Sequence, residues 1–143
     1  MVLGIDIGGT NTEFAVVDAT KGIINIQKIK TKSHNSFLNY IENFTDIVKE
    51  LTKKFNISDI GIGAPNFDSG SNTFCPVNFN WSDVSPFNLE QHLENEVSIR
   101  TSIVNDANCW VCIFLSSKRT IVPGGTCLIF RNGESELFVS KKR

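Results

Sequence analysis

The sequence predicts an α/β protein built on one mixed sheet, with three antiparallel strands followed by parallel strands and flanking helices. Three observations carry that prediction. Short apolar runs separated by glycine-containing turns fill residues 2–31, a long helical stripe begins at Phe37, and two later apolar runs are joined by a second, shorter helical stretch.

The elements follow in order. Residues 2–7 (VLGIDI) read as a short buried strand and residues 13–18 (EFAVVD) as its hairpin partner, with two glycines and a polar tip between them. Lys21-Gly22 punctuates the chain, and the alternation of residues 23–31 suits a half-buried third strand. Three successive strands of this kind form an antiparallel meander. From Ser36 the period changes, with Phe37, Tyr40, Ile41, Phe44, Ile47, Val48, Leu51 and Phe55 recurring at three- and four-residue steps. The stripe marks an amphipathic helix whose apolar face packs into the core. His34-Asn35-Ser36 offers capping side chains at its start, and Lys53-Lys54 suits the negative end of its dipole.

Residues 58–64 read as a buried strand that ends on small residues, where Pro65 blocks its continuation. A long loop is expected over residues 66–85, then a short helix over 88–94, a strand over 97–104 and a helix over 106–115 capped by Asn105 or Asp106. Helical crossovers place the later strands parallel in the same sheet. Beyond Ser116 the periodicity weakens, with a Pro-Gly-Gly break and a hairpin candidate around Arg131-Asn132-Gly133. The organisation expected is therefore a domain over residues 1–115 and an atypical tail over 116–143.

Composition narrows the function classes. The formal net charge of the 143 residues is −1, and no block of like charges precedes Lys141-Lys142-Arg143, so neither a nucleic-acid footprint nor a polybasic membrane patch is expected. The partner expected is a small molecule. The N-terminus lacks the regions of a signal peptide and no run approaches a membrane-spanning length, which points to a soluble, cytoplasmic protein. Of Cys75, Cys109, Cys112 and Cys127, the middle pair forms a CxxC, but within a helical pattern and without a second ligand pair. Ordinary reduced thiols are expected rather than a metal or redox site.

Three strings carry chemistry. In DIGGTNTEF, residues 6–14, Gly8 and Gly9 let backbone N–H groups approach a ligand without side-chain obstruction, while Thr10 and Asn11 add polar side chains. Such a turn cradles phosphate, and an acid beside it, Asp6, makes sense if Mg²⁺ stands between them, through water or directly. The same residues also describe a plain glycine turn with a capping Asp. GIGAPNFD, residues 61–68, ends a strand on polar side chains where ligands of α/β sheets bind, yet Pro after a strand is also a common stop. VNDANC, residues 104–109, delivers Asn105 and Asp106 to the start of a helix, as either catalytic groups or a helix cap.

Together these strings, with Asn78-Phe79-Asn80-Trp81, resemble the N-terminal lobe of the ROK family (repressors, open reading frames and kinases), especially its bacterial glucokinases, over about residues 2 to 109. The resemblance implies a ribonuclease H-like, actin-like ATPase lobe and ATP-dependent phosphorylation of a hexose in the cleft between two lobes. It makes Asp6, Gly8, Gly9, Thr10 and Asn11 the first phosphate and Mg²⁺ loop, with Asp6 as the metal-side acid. It makes Asp106 the general base and Asn105 a ligand of a sugar hydroxyl, with Ala64, Pro65 and Asn78 lining the sugar side. The partners it implies are ATP, a sugar and a second copy of the chain, without nucleic acid: the family's repressors carry a helix-turn-helix before the first motif, and here only Met1 to Ile5 precede Asp6.

The sequence also departs from the family pattern. Trp110, Cys112, Phe114 and Leu115 stand where small residues are usual, and the second phosphate loop and the sugar-gripping Glu and His do not appear before Arg143. The chain is thus expected to resemble one lobe and to be incomplete for catalysis, with a non-catalytic sugar-binding or vestigial domain as the alternative. Another actin-like ATPase or acyl-sugar kinase would share the first hairpin, but the segment at residues 105–109 fits the sugar-kinase pattern best.

Overall fold

In the computed structural model, which describes residues 1–76, 79, 81–105, 119–121 and 127–129, alternate residues of the first strand go to opposite faces of a sheet. β1 (Val2–Ile7) sends Leu3, Ile5 and Ile7 to the core face. It pairs antiparallel with β2 (Asn11–Asp18), and β2 pairs antiparallel with β3 (Gly22–Lys30), which completes the expected meander. On its other side β1 pairs parallel with β4 (Asp59–Ala64), and β4 pairs parallel with β7 (Arg100–Asn105). The order β3-β2-β1-β4-β7 is the mixed five-stranded sheet that the sequence predicts.

The register explains the core. Ile5 lies opposite Phe14 on one side and Ile62 on the other, and Ile62 lies opposite Ile103, so one row of large apolar side chains crosses four strands. α1 (Phe37–Lys54) lays its predicted stripe on this face, and Tyr40, Phe44 and Val48 are completely buried. α2 (Leu89–Val97) adds Leu89 and Leu93 to the same core. The two helices are also joined by a Lys49–Glu96 ion pair and by Thr45 Oγ1, 2.9 Å from His92 Nε2.

Ser36 caps α1 as its sequence suggests, its Oγ accepting the Asn39 N–H at 3.1 Å. A second cap comes from far along the chain: the Asp83 carboxylate accepts the N–H of Phe37 at 2.8 Å and of Leu38 at 3.2 Å. These backbone hydrogen bonds, the Phe37 one foremost, hold the Asp83 carboxyl below its ordinary value of 3.8. A depressed carboxylate stabilises the fold above its unfolded value, and the contribution disappears as pH falls through the folded value. We therefore expect the Phe37 and Leu38 amide resonances to titrate below pH 3.8. Asp83→Asn should abolish that titration; an unchanged titration in the variant would refute the capping role.

The stretch 66–85, expected as one long loop, is partly ordered into a small hairpin. β5 (Phe67–Asp68) pairs antiparallel with β6 (Thr73–Phe74), and Phe74 and Phe87 exchange backbone hydrogen bonds of 2.8 and 3.0 Å. Asn66 and Asn72 take positive φ, and Asp68 Oδ1 accepts the Gly70 N–H at 3.0 Å to shape the tip. Phe37 anchors this excursion to α1 through ring contacts with Phe74, Trp81 and Phe87 at 6.2, 5.8 and 5.7 Å. Sequence and structure also differ at α2, which extends to Val97, because Ser98 in the left-handed region closes it and β7 starts only at Arg100. In the tail, β8 (Arg119–Ile121) pairs antiparallel with β9 (Cys127–Ile129). The predicted 106–115 helix and the hairpin around residues 131–133 lie outside the described residues. Among the described residues no helix is long and apolar enough to cross a membrane.

Candidate functional site

Parallel pairing of β1, β4 and β7 sets their carboxyl ends side by side, where ligands of open α/β sheets bind. Asp6 stands level with Gly63, Gly63 with Val104, and Ala64 with Asn105. Asp6, Ala64 and Asn105, one from each of the three motif strings, therefore meet on one edge of the sheet. Asp6 and Asn105 are half-buried, Ala64 is fully buried and Pro65 half-buried just beyond it. Asn78 and Asp106 lie outside the described residues. On its other flank Asp6 lies opposite Glu13, whose Oε1 accepts from Lys28 Nζ at 2.8 Å, so one lysine offsets part of the acidic charge of that row.

The turn between β1 and β2 is closed by the Gly8 N–H donating to the Asn11 carbonyl at 3.0 Å. A Cβ at Gly8 would lie 2.8 Å from that same carbonyl oxygen, so close backbone approach demands glycine there. Gly9 differs. Its Cβ would meet only Phe79 Cε1, at 3.6 Å, an ordinary contact, and neither glycine needs positive φ. Gly9 and Thr10 are exposed, and the packing of the protein gives no reason for residue 9 to lack a side chain.

Behind the turn lies a set of hydroxyls that the sequence did not single out. Thr31 donates from its N–H to the Thr10 carbonyl at 2.9 Å and from Oγ1 to the Gly8 carbonyl at 2.8 Å. Thr31 Oγ1 is 2.9 Å from Thr12 Oγ1, which is 2.8 Å from the Tyr40 hydroxyl, and all three residues are completely buried. Burial, with the charge of Asp6 adding to it, pushes the Tyr40 phenol far above its ordinary value and keeps it protonated. Trp81 closes this side, its indole N–H donating to the His34 carbonyl at 3.0 Å and its ring 5.0 Å from Tyr40 and 5.3 Å from Phe79. Residues 31 and 40 are remote from the motif in sequence, and the signal available was two polar side chains within predicted apolar patterns.

The turn exposes Gly9 and Thr10, and the carboxylate of Asp6 stands on the strand just before it. Among the described residues no cluster of three or more His, Cys, Asp or Glu stands ready for a metal ion. A cation held here through Asp6 would take most of its ligands from water and phosphate, which is the habit of Mg²⁺. One carboxylate beside an exposed backbone turn is a donor set that a Mg²⁺-phosphate group would fit.

Known proteins are similar to this chain. The family described as ROK family matches residues 2–115. A glucokinase of Halalkalibacterium halodurans is 31% identical over 114 residues, covering 74% of this chain and 33% of that protein. An N-acetyl-D-glucosamine kinase of Salmonella newport is 26% identical over 112 residues, covering 77% and 36%. Among solved structures, a ROK family glucokinase from Streptomyces griseus in complex with glucose and AMPPNP superposes with a TM-score of 0.62 at 24% identity, covering 97% of this chain and 48% of that one. That likeness establishes the fold, the ribonuclease H-like lobe of actin-like ATPases. The chain spans about a third of the length of the curated relatives it matches.

Proposed function

The chain belongs to the ROK family, and from that membership we propose that it is the first lobe of a sugar kinase that transfers phosphate from ATP to a hexose or N-acetylhexosamine. Residues 1–115 form the lobe on this reading and 116–143 a separate tail; the end of the family match at residue 115 supports that division. The observation that carries the proposal is the convergence of Asp6, Ala64 and Asn105 on one sheet edge beside a turn whose Gly9 has no structural need to be glycine.

Each residue then has a physical task. The exposed Gly9–Thr10 backbone and the Asn11 side chain receive phosphate oxygens, with the Gly8 turn fixing their geometry. Mg²⁺, when bound, offsets phosphate charge that Asp6 would otherwise repel. Ala64, Pro65 and Asn78 line the sugar, Asn105 bonds one of its hydroxyls, and Asp106 takes the proton of the attacking hydroxyl. Phosphoryl transfer asks little covalent chemistry of the protein, so holding donor and acceptor in line supplies much of the rate. The named relatives, a glucokinase and an N-acetyl-D-glucosamine kinase, support the sugar class and leave the choice between the two sugars to experiment. A cytoplasmic location, where ATP is available, and a homodimer belong to the same proposal.

A methyl group at residue 9 separates this proposal from a plain structural turn. Gly9→Ala has room in the fold and an ordinary φ, so its melting temperature should stay close to that of the wild type, while its affinity for Mg²⁺-ADP falls about tenfold or more. Gly8→Ala should lose stability, because its Cβ collides with the Asn11 carbonyl. Calorimetric titration and thermal melts of both variants decide the matter. A stable Gly9→Ala protein that binds Mg²⁺-ADP as well as the wild type would refute phosphate binding at this turn.

A non-catalytic sugar-binding lobe is the second reading, favoured by the bulky Trp110, Phe114 and Leu115 where the family pattern has small residues. It predicts sugar-dependent quenching of tryptophan fluorescence without Mg²⁺-ADP binding.

A further inference from the structure

Proton counting gives the buried hydroxyls behind the turn a direction. Each hydroxyl has one proton to donate. Thr31 spends its proton on the Gly8 carbonyl, at 2.8 Å, so the 2.9 Å contact between Thr31 and Thr12 requires Thr12 to be the donor. The Thr12 proton is then committed, and the 2.8 Å contact with Tyr40 requires the phenol to donate to Thr12. The chain therefore runs one way, from Tyr40 on α1 through Thr12 on β2 and Thr31 to the backbone of the turn. Successive bonds of this kind polarise and strengthen one another in a buried setting.

The last bond has a geometric consequence. The peptide between Gly8 and Gly9 is planar and trans, so its C=O and its N–H point in opposite directions. Thr31 holds the Gly8 carbonyl inward and thereby turns the Gly9 N–H outward, on the exposed side of the loop. Thr31 also holds the Thr10 carbonyl through its own N–H, so one residue fixes the turn at two points.

We propose that Tyr40, Thr12 and Thr31 form a one-way hydrogen-bond relay that positions the Gly8–Asn11 turn, presenting the Gly9 N–H to the ligand. Tyr40 is a positioning residue that acts on the turn from three hydrogen bonds away. The ligand part of this statement rests on the phosphate-binding reading above; the positioning part does not.

Amide hydrogen exchange on the ligand-free 143-residue chain reads the positioning directly. Thr31→Val should speed exchange at the Gly8 and Thr31 amides by about tenfold relative to Ile5 and Phe14, which sit in the centre of the sheet. Tyr40→Phe keeps the ring and removes only the first donor, and should speed the same two amides by a smaller factor in the same direction. Thr31→Ser restores the hydroxyl and should return exchange to within about twofold of the wild type. Unchanged exchange at Gly8 in both Thr31→Val and Tyr40→Phe would overturn the relay, and so would an equal rise at Ile5 and Phe14, since that marks general loosening. Adding Mg²⁺-ADP to the wild type then judges the other reading separately: without a shift of the Gly9 amide the phosphate role fails, while the relay is still decided by the exchange rates.

Discussion

Asp106→Asn is expected to lower hexose phosphorylation by about 10² to 10⁴ while leaving Mg²⁺-ADP affinity within about twofold. An asparagine keeps the shape of the aspartate side chain and one of its oxygens but cannot take a proton. The loss should therefore fall on kcat rather than on binding. Because the chain spans about a third of its curated relatives, the assay joins it to the second lobe of a ROK glucokinase and follows ADP release with glucose and with N-acetylglucosamine. Once the parent fusion turns over, a variant that keeps activity within a few-fold would remove Asp106 from the role of base.

Phe44→Ala should cost about 3–5 kcal/mol of stability, a large share of the roughly 5–15 kcal/mol that holds a typical domain together. Phe44 is completely buried, with its ring 5.3 Å from Phe14 and 5.8 Å from Tyr40. Removing it opens a cavity between α1 and the sheet, beneath the residue that heads the hydroxyl relay. Phe44→Leu fills most of that volume and should cost much less. Urea denaturation followed by circular dichroism measures both. A loss below about 1 kcal/mol for the alanine variant would mean that α1 does not pack on this face as described.

Large parts of the fold were legible because their signals are periodic. The α1 stripe from Phe37 to Leu51 could be placed to within a residue, since eight buried positions repeat at helical spacing. The three N-terminal strands and β4 were also legible, and parallel crossover logic was enough to bring the ends of β1, β4 and β7 to one edge. The hairpin within residues 66–85 was not, because two-residue strands carry no period; positive φ at Asn66 and Asn72 shapes it instead. The long-range cap from Asp83 to α1 leaves no local mark either, since its partners lie 46 and 45 residues away.

The candidate site divides in the same manner. Asp6, Gly8, Gly9, Thr10 and Asn11 were visible as a string because a turn is contiguous in sequence. The two glycines looked alike there, and only the packing distinguishes Gly8, whose Cβ would strike backbone at 2.8 Å, from Gly9, whose Cβ would not. Thr31 and Tyr40 could not be found from the string, since they reach the turn through the fold and lie 23 and 28 residues from their hydrogen-bond partners Gly8 and Thr12.

Chemical-shift mapping of the ¹⁵N-labelled chain tests the proposal of a sugar-kinase lobe most directly. Mg²⁺-ADP should shift the amides of Gly8, Gly9, Thr10 and Asn11, and glucose or N-acetylglucosamine should separately shift Ala64 and Asn105, at the neighbouring strand ends. Saturation near a Kd of about 1 mM or tighter would suffice for a single lobe. A spectrum unmoved by either ligand, or shifts scattered away from the carboxyl ends of β1, β4 and β7, would contradict it.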